Sequence, residues 1–397
     1  MVRTSPDRAA IVAFAAGLHR TAMYRTAIVT FTAGLVISPL LTLTRRWWTL
    51  LSKRLSSALL PPSAKDFAAI DCLVFDCDGV LYRGKSTVAG GPEALTALRQ
   101  AGKRLLFVTN AASISRAGLA AKLTKMGYVG IEAEHCVTSG SAAATHLHTT
   151  RPDVKTAYVI GGGGLVEELS NVGIASVGPG TGAQTDRGQG LEDMVREGWS
   201  VARDGAAIGA VVCGALSDGL GYACIAKAAA YVRDPRCAPS GRTPPCIAPR
   251  DVVTCNPLHP TPHAARRTPH APRLAPHRRA FIATNPDANF PGGFDELLPA
   301  GGMVATAVAY AAERPPDVWV GKPSRDLAQL LVREHGLTPG RTLMVGDRTN
   351  TDVAFGRSVG MRTCLVLSGC HTRADAAAAP PEATPEFVAE SVADFAC

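Results

Sequence analysis

The run Leu73-Val74-Phe75-Asp76-Cys77-Asp78-Gly79-Val80-Leu81 constrains this chain more than any other stretch. Apolar residues without a polar interruption, Cys72 to Phe75, read as a strand buried on both faces, the kind found in parallel sheets covered by helices. Ending that strand in two carboxylates one residue apart, followed by Gly79, sets both acids at the carboxyl edge of the sheet, where open α/β folds place their sites. Carboxylates that close repel unless a cation or a shared proton intervenes, so the pair predicts Mg²⁺. One acid after a strand is an ordinary turn, whereas D-x-D-G after four apolar residues is a far more specific signal.

The pattern repeats along the chain. Leu105 to Val108, Leu343 to Val345 and Thr363 to Leu367 read as further buried strands, and Pro92 to Ala101 and Arg116 to Met126 as amphipathic helices closed by Gly102 and Gly127. Alternating strands and helices predict an α/β fold with a doubly wound parallel sheet. Three more strand ends carry polar groups. Thr109 and Asn110 offer a hydroxyl and an amide suited to phosphate oxygens, the run ending at Val320 presents Lys322, and Asp347 and Asp352 add acids at a spacing of five. Each alone has an ordinary surface reading, but nucleophile, hydroxyl, ammonium and metal carboxylate in that order point to one site.

These motifs resemble the haloacid dehalogenase superfamily, in the branch that includes phosphoglycolate phosphatase, pyridoxal phosphatase and 4-nitrophenylphosphatase. The likeness rests on residues 71–106, on ATNPDANFP at 283–291, on VGKPSRD at 320–326 and on MVGDRTNTD at 344–352. It implies a Rossmann-like hydrolase core at 66–150 and 301–397, with an α/β cap domain inserted at 151–300. It further implies that Asp76 attacks phosphorus to form an aspartyl-phosphate, and that Asp78 protonates the leaving oxygen and then activates water. Mg²⁺ would be held by Asp76, the Asp78 carbonyl and Asp347, with Asp352 orienting the ligands, while Thr109, the Asn110 backbone and Lys322 would hold the phosphate.

Two departures bear on substrate choice. Relatives have Thr-Asn-Asn-Ser after the second strand where this chain has Thr109-Asn110-Ala111-Ala112, and their short Gly-Phe/Tyr-Asp cap loop is replaced by a longer one, Cys213 to Tyr222. That loop offers Ser217 but no cation, so only a modest preference for 2-phosphoglycolate over larger esters is expected. The run Gly161 to Gly164 lacks the G-x-G-x-x-G spacing of a dinucleotide loop and reads as a strand-to-helix turn of the cap.

Charge separates this body from two appendages. A chain of 397 residues exceeds one compact core, and its hydrophobic content of 46% excludes a mainly disordered protein. Residues 1–65 hold nine Lys and Arg against one acid, and residues 238–279 hold seven Arg against one acid. The remaining 290 residues hold 25 Lys and Arg against 31 Asp and Glu, so no nucleic-acid partner is expected of the body. Arg- and Ser/Thr-rich and poor in acid, residues 1–65 read as a leader to a plastid or mitochondrion, the plastid favoured. Thr26 to Thr44, nineteen uncharged residues, keeps open a retained membrane anchor or a folded helix.

The segment 238–279 carries ten of the 28 prolines without periodicity and reads as a disordered insertion or an error of gene structure. Zinc on Cys246, Cys255, His259 and His263 within it is the lesser alternative, because nothing flanking would fix a tetrahedral site. The expected partners are a small phosphorylated metabolite, a membrane if 26–44 is retained, and a second copy of the chain through the cap. The expected activity is hydrolysis of 2-phosphoglycolate, with pyridoxal 5′-phosphate or broad aryl-phosphate activity as the alternative within that class. A membrane-tethered, non-catalytic binding protein is the alternative outside it.

Overall fold

The computed structural model describes residues 60–179, 189–201, 205, 207–216, 219–234, 278–291 and 297–396. Strands in chain order are β1 (Cys72–Phe75), β2 (Tyr82–Arg83), β3 (Ser86–Thr87), β4 (Arg104–Thr109), β5 (Cys136–Thr138), β6 (Thr156–Ile160), β7 (Ala175–Val177) and β8 (Ala210–Cys213). They continue as β9 (Ala280–Ala283), β10 (Asn289–Pro291), β11 (Leu297–Pro299), β12 (Val318–Trp319), β13 (Thr342–Gly346), β14 (Arg362–Val366) and β15 (Phe387–Ala389).

Six of these form the core sheet in the order β15-β14-β13-β1-β4-β5, every pair parallel. Strand order turns back at β1, with β4 and β5 on one side and β13 to β15 on the other, so a crevice opens beyond its carboxyl end. Period-two alternation fills both faces. Leu73, Phe75, Phe107 and Val345 pack with Leu119 and Phe395 on one side. Val74, Leu106, Val108 and Met344 pack on the other, with Leu147 and Leu331 of the covering helices and with Val159 and Ile282 of a second sheet.

That second sheet, the cap, runs β12-β9-β8-β6-β7, again all parallel. Its own apolar cluster joins Tyr158, Val211 and Phe281 to the helices Tyr222–Arg233 and Gly301–Ala312 through Tyr231, Val304 and Val308. The α/β fold class read from the sequence is thus found in both sheets.

Three boundaries differ from expectation. The core was expected to resume at 301, but helix Gly301–Ala312 covers the cap sheet and β12 pairs with β9, so the return lies after Trp319. A two-residue strand has no sequence signal for which sheet it joins. The leader was set at 1–65, yet Ser63 caps helix Ala64–Ala68 through a reciprocal bond with Asp66, and Leu60 O accepts from Val388 N at 3.0 Å. Residues 60–65 therefore belong to the folded body. The insertion was drawn through 279, but Arg279 is buried, paired with Asp234 and bonded to the carbonyls of Ile208 and Gly205 at 2.7 Å. Arg151 likewise donates to Arg278 O at 2.7 Å.

The apolar segment 26–44 and the Cys246, Cys255, His259 and His263 group lie outside the described residues. Among the described residues no helix is long and apolar enough to cross a membrane.

Candidate active site

Asp76 follows β1, and its N–H extends the ladder to Val345 O at 2.8 Å, which holds the first carboxylate at the sheet edge. The chain must then turn sharply to bring Asp78 back to the same crevice. Gly79 makes that turn with φ +84°, and a Cβ there would stand 2.2 Å from Asp347 Oδ2. The glycine of D-x-D-G is required both by conformation and by the closeness of the third acid.

After β13, Asp347 accepts from Cys370 N at 2.8 Å. A single π-helical turn, Thr349–Val353, then folds Asp352 back to accept from the N–H groups of Asp347 and Arg348 at 3.1 and 3.0 Å. Lys322 arrives from the cap side, beyond β12. Its ammonium lies 2.5 Å from Asp76 Oδ1 and 2.7 Å from Asp352 Oδ1, and donates to Val108 O at 2.9 Å. Asn110 holds this lysine in place, because its side chain accepts from Lys322 N at 2.8 Å and donates to Lys322 O at 3.0 Å. Asn110 also donates to Asp287 Oδ2 at 2.9 Å, and Asn285 donates to Asn110 O at 2.8 Å, so β4 and the cap are tied at this point.

The electrostatics follow from burial. Oxygens of Asp76, Asp347 and Asp352 lie within 4.8 Å of one another, and all three residues are buried. Desolvation raises the Asp76 carboxyl well above the ordinary range, Lys322 opposing it and the two other acids adding to it. Asp347 is pushed up to about 7, by burial first and by Asp352 second. Burial alone would lower Lys322, but the charges of Asp352 and Asp76 outweigh it and raise the ammonium.

Three carboxylates against one ammonium leave two negative charges uncompensated at full ionisation. An all-oxygen set with that excess fits a hard divalent cation. Asp76, Asp347 and the Asp78 carbonyl would hold it, with Asp352 within reach of the same point. Burial raises Asp78 to about 6, and its Oδ1 is buried without a hydrogen-bond partner.

Asp76, Asp78, Thr109, Asn110, Lys322, Asp347 and Asp352 all line one cavity of about 350 Å³, and Gly79 supports it from behind. Thr109 Oγ1 accepts from Ala111 N at 3.1 Å, leaving its O–H to donate. Of the departures from the family pattern, Ala111 lines the cavity, while Ala112 is fully buried against the cap at Gly214 and does not line it.

Among its described residues, the loop expected to select substrate brings only Ala215 to the wall; Ser217 lies outside the described residues and Tyr222 is exposed. Cap polar groups come instead from Asn285, Asp287 and Asn289. The cap loop was expected to offer no cation, and two cations from the core, Lys122 and Arg348, line the cavity. On the sequence Lys122 looks like the solvated side of an amphipathic helix, and only the position of the β2 hairpin reveals otherwise. The run Gly161 to Gly164 is a docking point, since a Cβ on Gly164 would stand 2.2 Å from the Ile114 backbone and Gly164 N donates to Ser113 O at 3.1 Å.

Residues 73–175 match the family described as haloacid dehalogenase-like hydrolase, and residues 319–395 match the HAD-hydrolase-like family. The chain is 32% identical over 341 residues to the glycerol-3-phosphate phosphatase of Homo sapiens, covering 83% of this chain and 90% of that protein. It is 30% identical over 336 residues to phosphoglycolate phosphatase 2 of Arabidopsis thaliana, covering 83% and 93%. The glycerol phosphate phosphatase of Mycobacterium tuberculosis in complex with magnesium superposes with a TM-score of 0.58 at 26% identity, over 83% of this chain and 77% of that one.

Proposed function

The chain belongs to the haloacid dehalogenase-like hydrolases and is a phosphoric monoester hydrolase using a divalent metal ion, and from that premise we propose that it hydrolyses 2-phosphoglycolate with Mg²⁺. One observation carries the substrate. The cavity that holds the nucleophile is small and is lined, beyond Lys322, by two further cations, Lys122 and Arg348, neither of which has a carboxylate within ion-pair distance among the described residues. A compact ester carrying a second anionic group matches such a wall.

In this reading an Asp76 oxygen attacks phosphorus in line as the bond to the ester oxygen breaks, and Asp78 gives its proton to that oxygen. Water then attacks phosphorus, passing a proton to Asp78, and the aspartyl bond breaks to free phosphate and Asp76. A divalent cation held by Asp76, Asp347 and the Asp78 carbonyl would neutralise charge on the phosphoryl oxygens. Lys322 adds a fixed positive charge, and the Thr109 hydroxyl and Asn110 N–H orient the phosphate.

A second reading, glycerol 3-phosphate, is favoured by Asp287, whose carboxylate at the cavity wall could accept from a hydroxyl. The non-catalytic alternative gives way, because every charged motif residue meets in one cavity. Comparison of kcat/KM for 2-phosphoglycolate, glycerol 3-phosphate, pyridoxal 5′-phosphate and 4-nitrophenyl phosphate on one preparation tests the assignment. 2-Phosphoglycolate is expected to lead, and its ranking below glycerol 3-phosphate would transfer the assignment to the polyol ester.

A further inference from the structure

We propose that Lys122, held over the ring of Tyr82, reads the anionic tail of the substrate and thereby sets the preference of the site for acidic over neutral phosphate esters. The inference deepens the phosphatase reading above and depends on it. Lys122 Nζ stands 3.4 Å from the centre of the Tyr82 ring, and both residues line the cavity beside Asp78. Tyr82 is 2% exposed and paired in the β2–β3 hairpin, so the ring is a fixed platform. Helix Arg116–Lys125 buries Leu119 and Leu123, which turns the neighbouring Lys122 stem along the apolar flank and carries its head over the ring.

A cation on an aromatic face is attracted to the ring, yet the ring accepts none of its three N–H groups in a directed hydrogen bond. Among the described residues Lys122 has no ion pair and no hydrogen-bond acceptor. Of the other two cations, Lys322 is committed to Asp76, Asp352 and Val108 O, and Arg348 is held toward the cap by one bond to Asn289 O at 3.2 Å. Lys322, Thr109 and Asn110 serve the phosphate end. The donors of Lys122, partly withdrawn from water and facing the same space, therefore fit a second negative group on the same small molecule, a carboxylate a few bonds from phosphorus.

Asp78 is the competing explanation, because the Lys122 charge also opposes the burial of that carboxyl. An effect through Asp78 would strike every ester alike, whereas recognition of a tail strikes only the acidic one. Lys122→Met keeps the stem and removes the charge, and Lys122→Arg keeps the charge. With kcat and KM measured for 2-phosphoglycolate and glycerol 3-phosphate, Lys122→Met is expected to lower the acidic-to-neutral ratio of kcat/KM by about tenfold or more, chiefly through KM, and Lys122→Arg to restore most of it. An equal loss on both esters overturns the proposal, and Lys122→Gln repeats the measurement if the Met variant unfolds. The substrate reading is judged separately, by which ester the unaltered protein prefers; the change of ratio on substitution decides the role of Lys122 in either case.

Discussion

The two parallel sheets treat buried charge in opposite ways. In the cap, charges that leave water meet partners of the chain itself: Arg279 with Asp234, and Arg314 with Asp317 at 2.7 Å, each of these side chains at most 13% exposed. Glu168, buried in the cap helix Gly163–Asn171, accepts from the N–H of Arg116 at 2.7 Å and pairs with its guanidinium. At the carboxyl edge of the core sheet, Asp76 and Asp352 share one ammonium, Asp347 pairs with none, and at full ionisation the three carry two negative charges in excess. Internal compensation makes a scaffold, while excess buried charge stores binding energy for a ligand of the opposite sign. The contrast locates the reacting centre without reference to sequence motifs.

The strongest way to break this contrast is at the nucleophile. Asp76→Asn preserves shape and removes the attacking oxygen, and it also relieves the carboxylate repulsion. Metal-dependent turnover of any phosphate ester should fall by about 10³-fold or more, with the melting temperature of the metal-free protein unchanged or raised. Residual turnover near the original rate would exclude an aspartyl-phosphate, and a large loss of stability would show that the acidic cluster holds the fold together.

The cap should respond in the reverse sense. Arg279→Met leaves Asp234 without its guanidinium and removes the donors to Ile208 O and Gly205 O, a change costing about 3 to 5 kcal/mol for a buried pair. Thermal unfolding should detect it as loss of stability. Deletion of 238–277 with Arg279 retained should leave stability and activity in place, because the chain ends it joins already meet through the Asp234–Arg279 pair. If that deletion unfolds the protein while Arg279→Met does not, the insertion is part of the cap and the charge argument fails there.

Legibility in the sequence follows the same division. All four apolar runs singled out, Cys72–Phe75, Leu105–Val108, Leu343–Val345 and Thr363–Leu367, fall on core strands, because burial on both faces writes an uninterrupted pattern. The acids after β1 and β13 were readable for the converse reason, that they come in pairs at the end of such runs, where a single acid would be an ordinary turn. Arg279 was not: inside a Pro-rich stretch of seven arginines, composition gives no sign that the last of them is buried against Asp234 at the start of β9. Nor was Asn110, read as a phosphate ligand through its backbone, legible as the bracket on Lys322, because its two partners lie 212 residues away.

The smallest effect tests the edge of the body, at residues 60–65. Ser63 caps helix Ala64–Ala68, and Asp66 accepts from the Ser63 side chain and pairs with Arg362 at 2.9 Å, interactions that lower its carboxyl to about 2. A chain beginning at residue 66 keeps Asp66 but loses the cap, so it should be less stable near neutral pH than one beginning at residue 60 by about 1 kcal/mol. The sign of the pH dependence is set by that lowered value. A carboxyl depressed in the folded state contributes stability above its unfolded value of 3.8, and the contribution is lost as pH falls through about 2. The difference between the two chains should therefore be full above pH 4 and shrink toward pH 2, measured as paired urea midpoints. A difference that is absent at neutral pH, or that grows on acidification, would return residues 60–65 to the leader and leave the helix at Ala64 without a role in the core.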